Sequence, residues 1–397
     1  MAVMMMAGCG DKEASKKETA KPKVNIPVDT ALQSRMKAFA ESPRCAGQFG
    51  LYVYDLTADK PVYGYNEKKA LPTASCMKLL SGVAGLHLMG DKYMYPVSVY
   101  TRGNIKDGVL MGDASFKAGL DPQFQPADFN EFAKVLRRKG IKNINGKFYV
   151  DLALQEPIQA ESHWYPWDLS FSLYGVLYKG ADRVKKHMKA SLRAQGIQIA
   201  DSQMVLAKVP KGSHCLFRHY RDIRLVIRRM WKNSSNTQAT SMLYTIGQKA
   251  NPKSPKYAES GVAYLRHFLK NEIGVKDSTC VIHDGCGLCT YNHLSPVALT
   301  QILKYGYHDP KIYKVMQKEL SISGVDGTLR NLLNHAKTRG QIRGKTGTLS
   351  HPYGISTLAG FCKGTNGHDL AFALMDSEMS VLDAHVLQRK LCEQLIK

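Results

Sequence analysis

The stretch that decides the fold is LPTASCMKLLSGVAGLHLM, residues 71–89. It predicts a long apolar helix that begins close to Ser75. Ser75 and Lys78 lie three positions apart at the start of this helix, so their side chains share one face. A serine hydroxyl becomes a good nucleophile when a base removes its proton, and a lysine can be that base if burial or a nearby cation lowers its pKa. The stretch therefore predicts a nucleophile paired with its base.

Two further motifs follow along the chain. Ser234-Ser235-Asn236 lies in a loop before a predicted helix, and Lys345-Thr346-Gly347 lies in a predicted strand. Taken singly, the motifs are better explained as a polar helix start and a loop cap, and the third could be a strand end. In this order, on a helix, a loop and a strand, they form the signature shared by β-lactamases and penicillin-binding proteins.

The third motif predicts a site for a free peptide C-terminus. Lys345 and the Thr346 hydroxyl can bind a carboxylate, and Gly347 on an edge strand leaves room for a peptide backbone. The backbone N–H groups of Ser75 and Thr348 are the candidate donors of an oxyanion hole.

Longer segments around the motifs make the resemblance more specific. They are residues 54–56 (YDL), 103–119, 140–151, 284–289 (DGCGLC), 323–329 (SGVDGTL) and 358–361 (LAGF). Together they resemble the class C low-molecular-mass penicillin-binding proteins, the D-alanyl-D-alanine carboxypeptidase/endopeptidase family of the penicillin-binding protein 4 type. The resemblance extends from about residue 27 to the end of the chain.

The resemblance implies a serine D-alanyl-D-alanine carboxypeptidase, which can also act as a DD-endopeptidase, with peptidoglycan stem peptides ending in D-Ala-D-Ala as substrates. β-Lactam antibiotics would be covalent inhibitors, and no metal or organic cofactor is implied. Catalytic roles would fall to Ser75 (acylated nucleophile), Lys78 (its base), Ser234 and Asn236, and substrate binding to Lys345, Thr346, Gly347 and Thr348.

Two alternatives remain open at this point. A β-lactamase or esterase would use the same residues and differ only in how fast water removes the acyl group. A catalytically inactive wall-binding lipoprotein is the other alternative. The presence of every motif side chain argues against inactivity, whereas the short stretch between Lys78 and Ser234, which indicates a trimmed insert, keeps it open.

The order of elements predicts an α+β protein in which helices cover one sheet. The resemblance implies that this is the serine β-lactamase/penicillin-binding transpeptidase-like fold, an antiparallel sheet covered by helices. Residues 27–90 and 221–397 are predicted to form the catalytic domain, and residues 91–220 an inserted smaller α/β domain. Within the catalytic part, residues 221–232 are predicted as a basic amphipathic helix, and residues 341–346, 355–361 and 369–375 as strands.

Residues 1–26 are predicted to be a lipoprotein signal remnant followed by a flexible tether. The run Met6-Ala7-Gly8-Cys9-Gly10 resembles a lipoprotein box, in which Cys9 would carry the lipid and anchor the chain in the bacterial periplasm or cell envelope. The apolar run before Cys9 is short and lacks basic residues, so either the natural start lies upstream or the resemblance is accidental. Residues 11–23 are a polar tether in the first case and a disordered cytosolic tail in the second.

The formal net charge of +22, from 55 Lys and Arg against 33 Asp and Glu, raises the question of nucleic-acid binding. The basic residues are spread along the chain, and no zinc-finger, ribonucleoprotein or basic-zipper pattern accompanies them, so no nucleic-acid partner is predicted. Attraction to anionic wall or membrane polymers, or simply a solvated basic surface, explains the charge.

Cys286 and Cys289 form a Cys-x-x-Cys motif that could indicate zinc. No second such pair or Cys/His pair stands at metal-ligand spacing, so no metal site is predicted, and the two thiols are interpreted as small buried groups. His283 and His293 are interpreted as structural or solvated, because no Gly-x-Ser-x-Gly motif supports a Ser-His-Asp triad.

Overall fold

The computed structural model describes residues 26–44, 46–170 and 173–397. The proposed lipid attachment residue, Cys9, and the proposed tether lie outside these residues. No helix in the described ranges combines the length and apolar character that crossing a bilayer requires.

The secondary structure alternates between strands and helices along most of the described chain. The strands are β1 (Gln48–Asp55), β2 (Lys60–Tyr65), β3 (Leu71–Pro72), β4 (Met94–Lys106), β5 (Val109–Ala118), β6 (Asn143–Ile144), β7 (Phe148–Leu152), β8 (Met204–Leu206), β9 (His214–Asp222), β10 (His293–Leu294), β11 (Ser321–Ile322), β12 (Arg343–Leu349), β13 (Ile355–Lys363) and β14 (Asp369–Ser377). The helices are α1 (Thr30–Glu41), α2 (Met77–Met89), α3 (Phe129–Arg138), α4 (Pro166–Ser170), α5 (Ala181–Ala194), α6 (Ile223–Lys232), α7 (Asn236–Ala250), α8 (Tyr257–His267), α9 (Pro296–His308), α10 (Pro310–Glu319), α11 (Leu329–Leu332) and α12 (Val381–Leu395).

A six-stranded sheet built from both ends of the chain carries the site. Its order is β11-β12-β13-β14-β1-β2, and every neighbouring pair is antiparallel. β1 pairs with β14 along its whole length, from Gln48 opposite Ser377 to Asp55 opposite Leu370. The sheet therefore requires the first and last segments of the catalytic part to be brought together.

Helices cover both faces of this sheet, as the alternation along β14 shows. Leu370, Phe372 and Leu374 point into the core under α1 and α12, whereas Ala371 and Ala373 point into the core that contains α2, α6, α7 and α9. Small residues on the second face let α9 approach the sheet closely. The predicted antiparallel sheet covered by helices is present.

A second sheet, with the order β8-β7-β5-β4-β9, mixes antiparallel and parallel pairs and has its own buried core. The chain enters this second unit after α2 and leaves it before α6. β4 and β9 pair with each other, beginning with Met94 opposite Asp222, so the two crossing segments lie side by side. A unit whose ends are adjacent can be inserted without disturbing the host fold.

Two local expectations were wrong. Residues 221 and 222, predicted as the start of a helix, instead end β9, and α6 begins at Ile223. Strand β9 itself was not predicted, because its sequence HCLFRHYRD is basic and lacks an apolar alternation. The strand forms at the edge of the second sheet, where β4 provides its backbone partners.

Helix α2 is buried on almost every side, and Gly82 marks its tightest contact. A Cβ at Gly82 would lie 2.4 Å from Cζ2 of Trp231, a fully buried side chain whose indole N–H donates to the backbone oxygen of Lys78 at 2.8 Å. Trp231 thus needs a glycine on α2 in order to support the turn that carries Lys78.

We expect Gly82→Val to lower the free energy of unfolding by about 1–3 kcal/mol or more, because the added atoms displace the Trp231 ring. Gly119→Ala is the matched control: its nearest contact would be an ordinary 3.5 Å, so its effect should stay within about 0.5 kcal/mol. Urea unfolding measures both. Equal effects for the two variants would contradict this account of the α2 packing.

Candidate active site

Ser75 lies in a single 3₁₀ turn, Ala74–Cys76, immediately before α2. The turn is strained, because Ala74 adopts a φ of 41°, a region that a side chain rarely occupies. Gly287 and Gly347 approach this turn, and a Cβ on Gly287 would lie 1.8 Å from the Ala74 oxygen. Backbone strain held in place by close contacts is typical of functional sites.

Lys78 is completely buried and directs its ammonium at Ser75. Its Nζ donates to Ser75 Oγ at 2.7 Å, to Asn236 Oδ1 at 2.8 Å and to the backbone oxygen of Cys286 at 2.5 Å. These acceptors are all neutral groups. Burial lowers the pKa of Lys78 to about 8, so a neutral amine that can accept a proton is accessible near neutral pH.

The second motif supplies a hydroxyl and an amide to the same place. Ser234 adopts a φ of 55° in the loop after α6, and Asn236 is the first residue of α7. Ser235, between them, caps α7 by accepting from the backbone N–H of Gln238. The cap orients Asn236 towards Lys78 and Ser234 towards the third motif.

Lys345 on β12 is the second fully buried lysine. Its Nζ donates to Ser234 Oγ at 2.9 Å and to the Thr346 backbone oxygen at 2.5 Å. Burial, with a smaller contribution from the positive charge of Lys78, lowers the pKa of Lys345 to about 7. The two lysines and the two serines thus form one polar group around the strained turn.

The free edge of β12 runs past Ser75. β11 pairs with β12 only at Arg343 and Gly344, so within the described residues no strand pairs with this edge beyond Gly344. A Cβ on Gly347 would lie 2.8 Å from the Ser75 nitrogen and 2.2 Å from Thr357 Oγ1. Glycine at this position therefore allows the strand edge to lie beside Ser75. Thr348, the next residue, is exposed.

Thr346 is the hydroxyl of the third motif that lies at the cleft. Its Oγ1 donates to Thr328 Oγ1 at 2.8 Å, and Thr328 belongs to the SGVDGTL segment. The pair places two hydroxyls beside β12, the strand that carries Lys345.

A tight loop, residues 284–289, holds the backbone oxygen that Lys78 contacts. The buried Asp284 carboxylate accepts the backbone N–H groups of Cys286 (2.9 Å), Gly287 (2.6 Å) and Cys289 (2.8 Å). It also accepts from the Asn292 side chain and from the indole of Trp164 at 2.7 Å. Asp284 therefore fixes the direction of the Cys286 carbonyl.

The neighbouring thiol of Cys76 is a structural group. It is fully buried, and its Sγ donates to the Lys345 backbone oxygen at 3.1 Å. Burial raises its pKa, so the thiolate form is disfavoured and Cys76 does not compete with Ser75. None of the cysteines in the part of the chain that the structure describes forms a disulfide.

The structure brings the predicted residues together as two adjacent hydrogen-bonded groups, Ser75 and Asn236 on Lys78 and Ser234 on Lys345. Sequence reasoning noted the segment of Asp284 but assigned it no role, and it missed the supporting contact of Trp231. The sequence DGCGLC of residues 284–289 did indicate a tight loop. An aspartate that precedes glycines often accepts hydrogen bonds from the backbone N–H groups that follow it. Nothing in the sequence indicated that Lys78 would meet this loop.

Comparison with known proteins decides the family. A model of the D-Ala-D-Ala carboxypeptidase 3 (S13) family matches residues 32–175 and 171–394. The chain belongs to this family. By family it is a serine-type D-Ala-D-Ala carboxypeptidase, a hydrolase that acts on peptidoglycan, and this membership confirms the resemblance read from the motifs.

Two D-alanyl-D-alanine carboxypeptidases are similar to this chain in sequence. D-alanyl-D-alanine carboxypeptidase DacB of Haemophilus influenzae is 20% identical, with 81% of this chain and 84% of the relative covered. A D-alanyl-D-alanine carboxypeptidase from an Actinomadura species is 25% identical over a shorter stretch, 35% of this chain and 26% of the relative.

Solved structures support the fold. Penicillin-binding protein 4 (DacB) of H. influenzae superposes with a TM-score of 0.78 at 18% identity, covering 91% of this chain and 99% of that one. The predatory endopeptidase Bd0816 of Bdellovibrio bacteriovorus, in complex with an immunity protein, gives a TM-score of 0.59 at 16% identity and covers 88% of this chain and 94% of that one. The serine penicillin-recognising fold predicted from sequence is confirmed.

Asp284 is open to a direct test. In Asp284→Ala the three loop N–H groups lose their acceptor, which we expect to cost about 2–4 kcal/mol of unfolding free energy and to slow acylation, because the Cys286 carbonyl no longer holds Lys78. Asp277→Ala, at an exposed turn where the carboxylate accepts from the Thr279 N–H, is the matched control. Urea unfolding and the rate of reaction with a labelled penicillin measure the two effects. A fully active Asp284→Ala would refute this role.

Proposed function

We propose that Ser75 is the nucleophile of this S13 enzyme and Lys78 the base that activates it. The observation that carries the proposal is the 2.7 Å contact between Lys78 Nζ and Ser75 Oγ in a site where burial lowers the lysine pKa. Asn236 supports it, because its side-chain oxygen lies 2.8 Å from the same Nζ and keeps the amine facing Ser75.

In the proposed acylation step, neutral Lys78 takes the Ser75 proton while Oγ attacks the carbonyl carbon of the penultimate D-alanine. The C–N bond then breaks, and the terminal D-alanine leaves as an amine that gains a proton from Ser234. Ser234 is suited to this transfer because Lys345 Nζ lies 2.9 Å from its hydroxyl and can replace the proton. The proton that Lys78 took then passes through solvent to Lys345, which returns both lysines to their starting states. Lys78 next takes a proton from the attacking water and gives it to Ser75 Oγ as the ester bond breaks.

Substrate recognition is proposed to use the free edge of β12. The peptide would lie beside Gly347, and its terminal carboxylate would meet Lys345 and the Thr346 hydroxyl. The backbone N–H groups of Ser75 and Thr348 would stabilise the oxyanion, since a tetrahedral intermediate needs two such donors. A requirement for a free carboxylate is what separates a carboxypeptidase from an enzyme that cleaves internal bonds.

β-Lactams are proposed as covalent inhibitors, since the same serine would attack their strained amide. The H. influenzae penicillin-binding protein 4 is known as a β-lactam complex, with a TM-score of 0.74 to this chain. We also propose that the enzyme works in the periplasm, where its cell-wall substrate is found, and that Cys9 is its lipid attachment residue.

Ser75→Ala tests the nucleophile. Intact-protein mass should increase by one penicillin molecule after benzylpenicillin is added to the parent, and should stay unchanged in Ser75→Ala, which lacks the attacking oxygen. Ser254→Ala, in a surface turn, is the control and should form the adduct. D-Alanine release from a D-Ala-D-Ala pentapeptide should fall by at least about a thousandfold in Ser75→Ala.

The adduct's lifetime separates the remaining alternatives. A long-lived adduct together with D-alanine release supports the carboxypeptidase. Rapid loss of the adduct with turnover of the drug would indicate a β-lactamase instead. An adduct on Ser75→Ala would show that another residue is the nucleophile.

The pH dependence tests Lys78. It acts as a base only when neutral, so the acylation rate at saturating penicillin should rise about tenfold per pH unit below its pKa and level off above about 8. The charge on Lys345 supports binding, so KM for the peptide should increase as pH rises past about 7. Stopped-flow measurement of acylation reports the effect of Lys78, and steady-state peptide hydrolysis reports the effect of Lys345 on KM. A rate that keeps rising to pH 10.5 would show that an ordinary solvated amine is responsible.

A further inference from the structure

A group of four potential metal ligands lies outside the hydrogen-bonded site. Glu161, His163, His283 and Cys289 each offer one ligand atom, and these atoms all lie within 4.8 Å of one another. Two of them come from the segment before α4 and two from the loop around Asp284. Because about 120 residues separate the two pairs, no spacing rule for metal motifs could have joined them.

The ligand atoms lie near the separations that an ion requires, and the Glu161–His163 hydrogen bond must open for an ion to enter. Glu161 Oε1 lies 2.7 Å from Nδ1 of His163 and 3.7 Å from Nδ1 of His283. The two imidazole rings stand 4.8 Å apart at an angle of 67°. Ligand atoms around a tetrahedral ion with bonds of about 2.0–2.3 Å are about 3.3–3.8 Å apart, so an ion needs only small side-chain rotations to be enclosed.

The donor set matches one class of ion. Two imidazole nitrogens, one thiolate and one carboxylate oxygen are the ligands of tetrahedral Zn²⁺, whereas Mg²⁺ and Ca²⁺ require oxygen ligands alone. One thiolate and one carboxylate also neutralise a divalent charge. Cys289 is buried and His163 is exposed, so the ion would enter from solvent and its sulfur ligand would be shielded.

The backbones that carry these ligands are already fixed by a common group. Asp284 accepts from the Cys289 N–H and from the indole of Trp164, which adjoins His163. Asn292 Oδ1 accepts from the His283 N–H at 2.7 Å. Such outer contacts orient the ligands of a metal centre and reduce the entropy lost on binding.

We propose that Glu161, His163, His283 and Cys289 bind a divalent transition-metal ion, with Zn²⁺ as the best fit. The ion is structural: it ties the segment of residues 161–163 to the loop whose Cys286 carbonyl holds Lys78. The Cys289 thiol loses its proton to solvent when the ion binds. The proposal is independent of the roles assigned to Ser75 and Lys78, and it revises the expectation that the chain has no metal site.

The test uses the whole chain, stripped with a chelator and then titrated with Zn²⁺ or Co²⁺. We expect one Zn²⁺ per chain by dialysis and elemental analysis, and a cysteine-to-cobalt charge-transfer absorption with Co²⁺. Zn²⁺ at about 100 times its Kd should raise Tm by roughly 3–5 °C. Cys289→Ser should abolish the absorption band, and His163→Gln should weaken Zn²⁺ binding at least tenfold.

Two variants act as controls. Cys280→Ser and His293→Gln remove a thiol and an imidazole from the same region without touching the four ligands, and they should bind Zn²⁺ like the parent. His163 is exposed, so His163→Gln keeps the test valid even if Cys289→Ser unfolds. Equal Zn²⁺ affinity in the parent and in His163→Gln, or no Zn²⁺ binding by the parent, would overturn the proposal. If the protein bound Zn²⁺ as expected but did not react with penicillin, the result would contradict the role of Ser75 and would not affect the metal proposal.

Discussion

The arrangement depends on the burial of two lysine ammonium groups within one cleft. Lys78 and Lys345 are both 0% exposed, and removing an ammonium from water costs several kcal/mol unless hydrogen bonds replace the lost hydration. The replacements here are serine hydroxyls, an amide oxygen and backbone carbonyls. Since these oxygens are neutral, they compensate only in part, and the lysine pKa values stay low. The incomplete compensation is what would allow Lys78 to act as the proposed base.

The surrounding structure is organised to hold those oxygens in place. The Cys286 carbonyl points at Lys78 because Asp284 accepts three loop N–H groups, and the Lys78 backbone is held by the indole of Trp231. Ala74 and Ser234 keep positive φ values beside the two lysines. Strain at both points is stabilised by contacts from other elements, which is the usual relation between a rigid scaffold and an active site.

The inserted unit contributes to this scaffold as well as extending from it. Trp164, in the segment before α4, donates to Asp284 and so reaches the loop beside Lys78, the proposed base. The proposed metal ligands Glu161 and His163 come from the same segment. The segment before α4 is therefore in contact with the loop whose Cys286 carbonyl accepts from Lys78.

The sequence by itself determined the chemistry and most of the elements. The order of the three motifs predicted roles for Ser75, Lys78, Asn236 and Lys345, because a short motif carries its own spacing and its own local structure. Apolar alternation predicted β13 and β14, and the apolar run after Ser75 predicted α2. These are local properties of the chain, set by periodicity and by neighbouring side chains.

Tertiary structure decided the features that need a partner far away in the sequence, namely strand β9 and the contacts of the loop that contains Asp284. β9 forms because β4 offers it a backbone ladder, although its own sequence is basic and lacks alternation. Asp284 supports Lys78 because the loop of residues 284–289 packs against α2. His283 and Cys289 lie near Glu161 and His163 because the segment before α4 packs against the same loop. Contacts between residues more than a hundred positions apart are fixed by packing, and a single sequence records no distances of that kind.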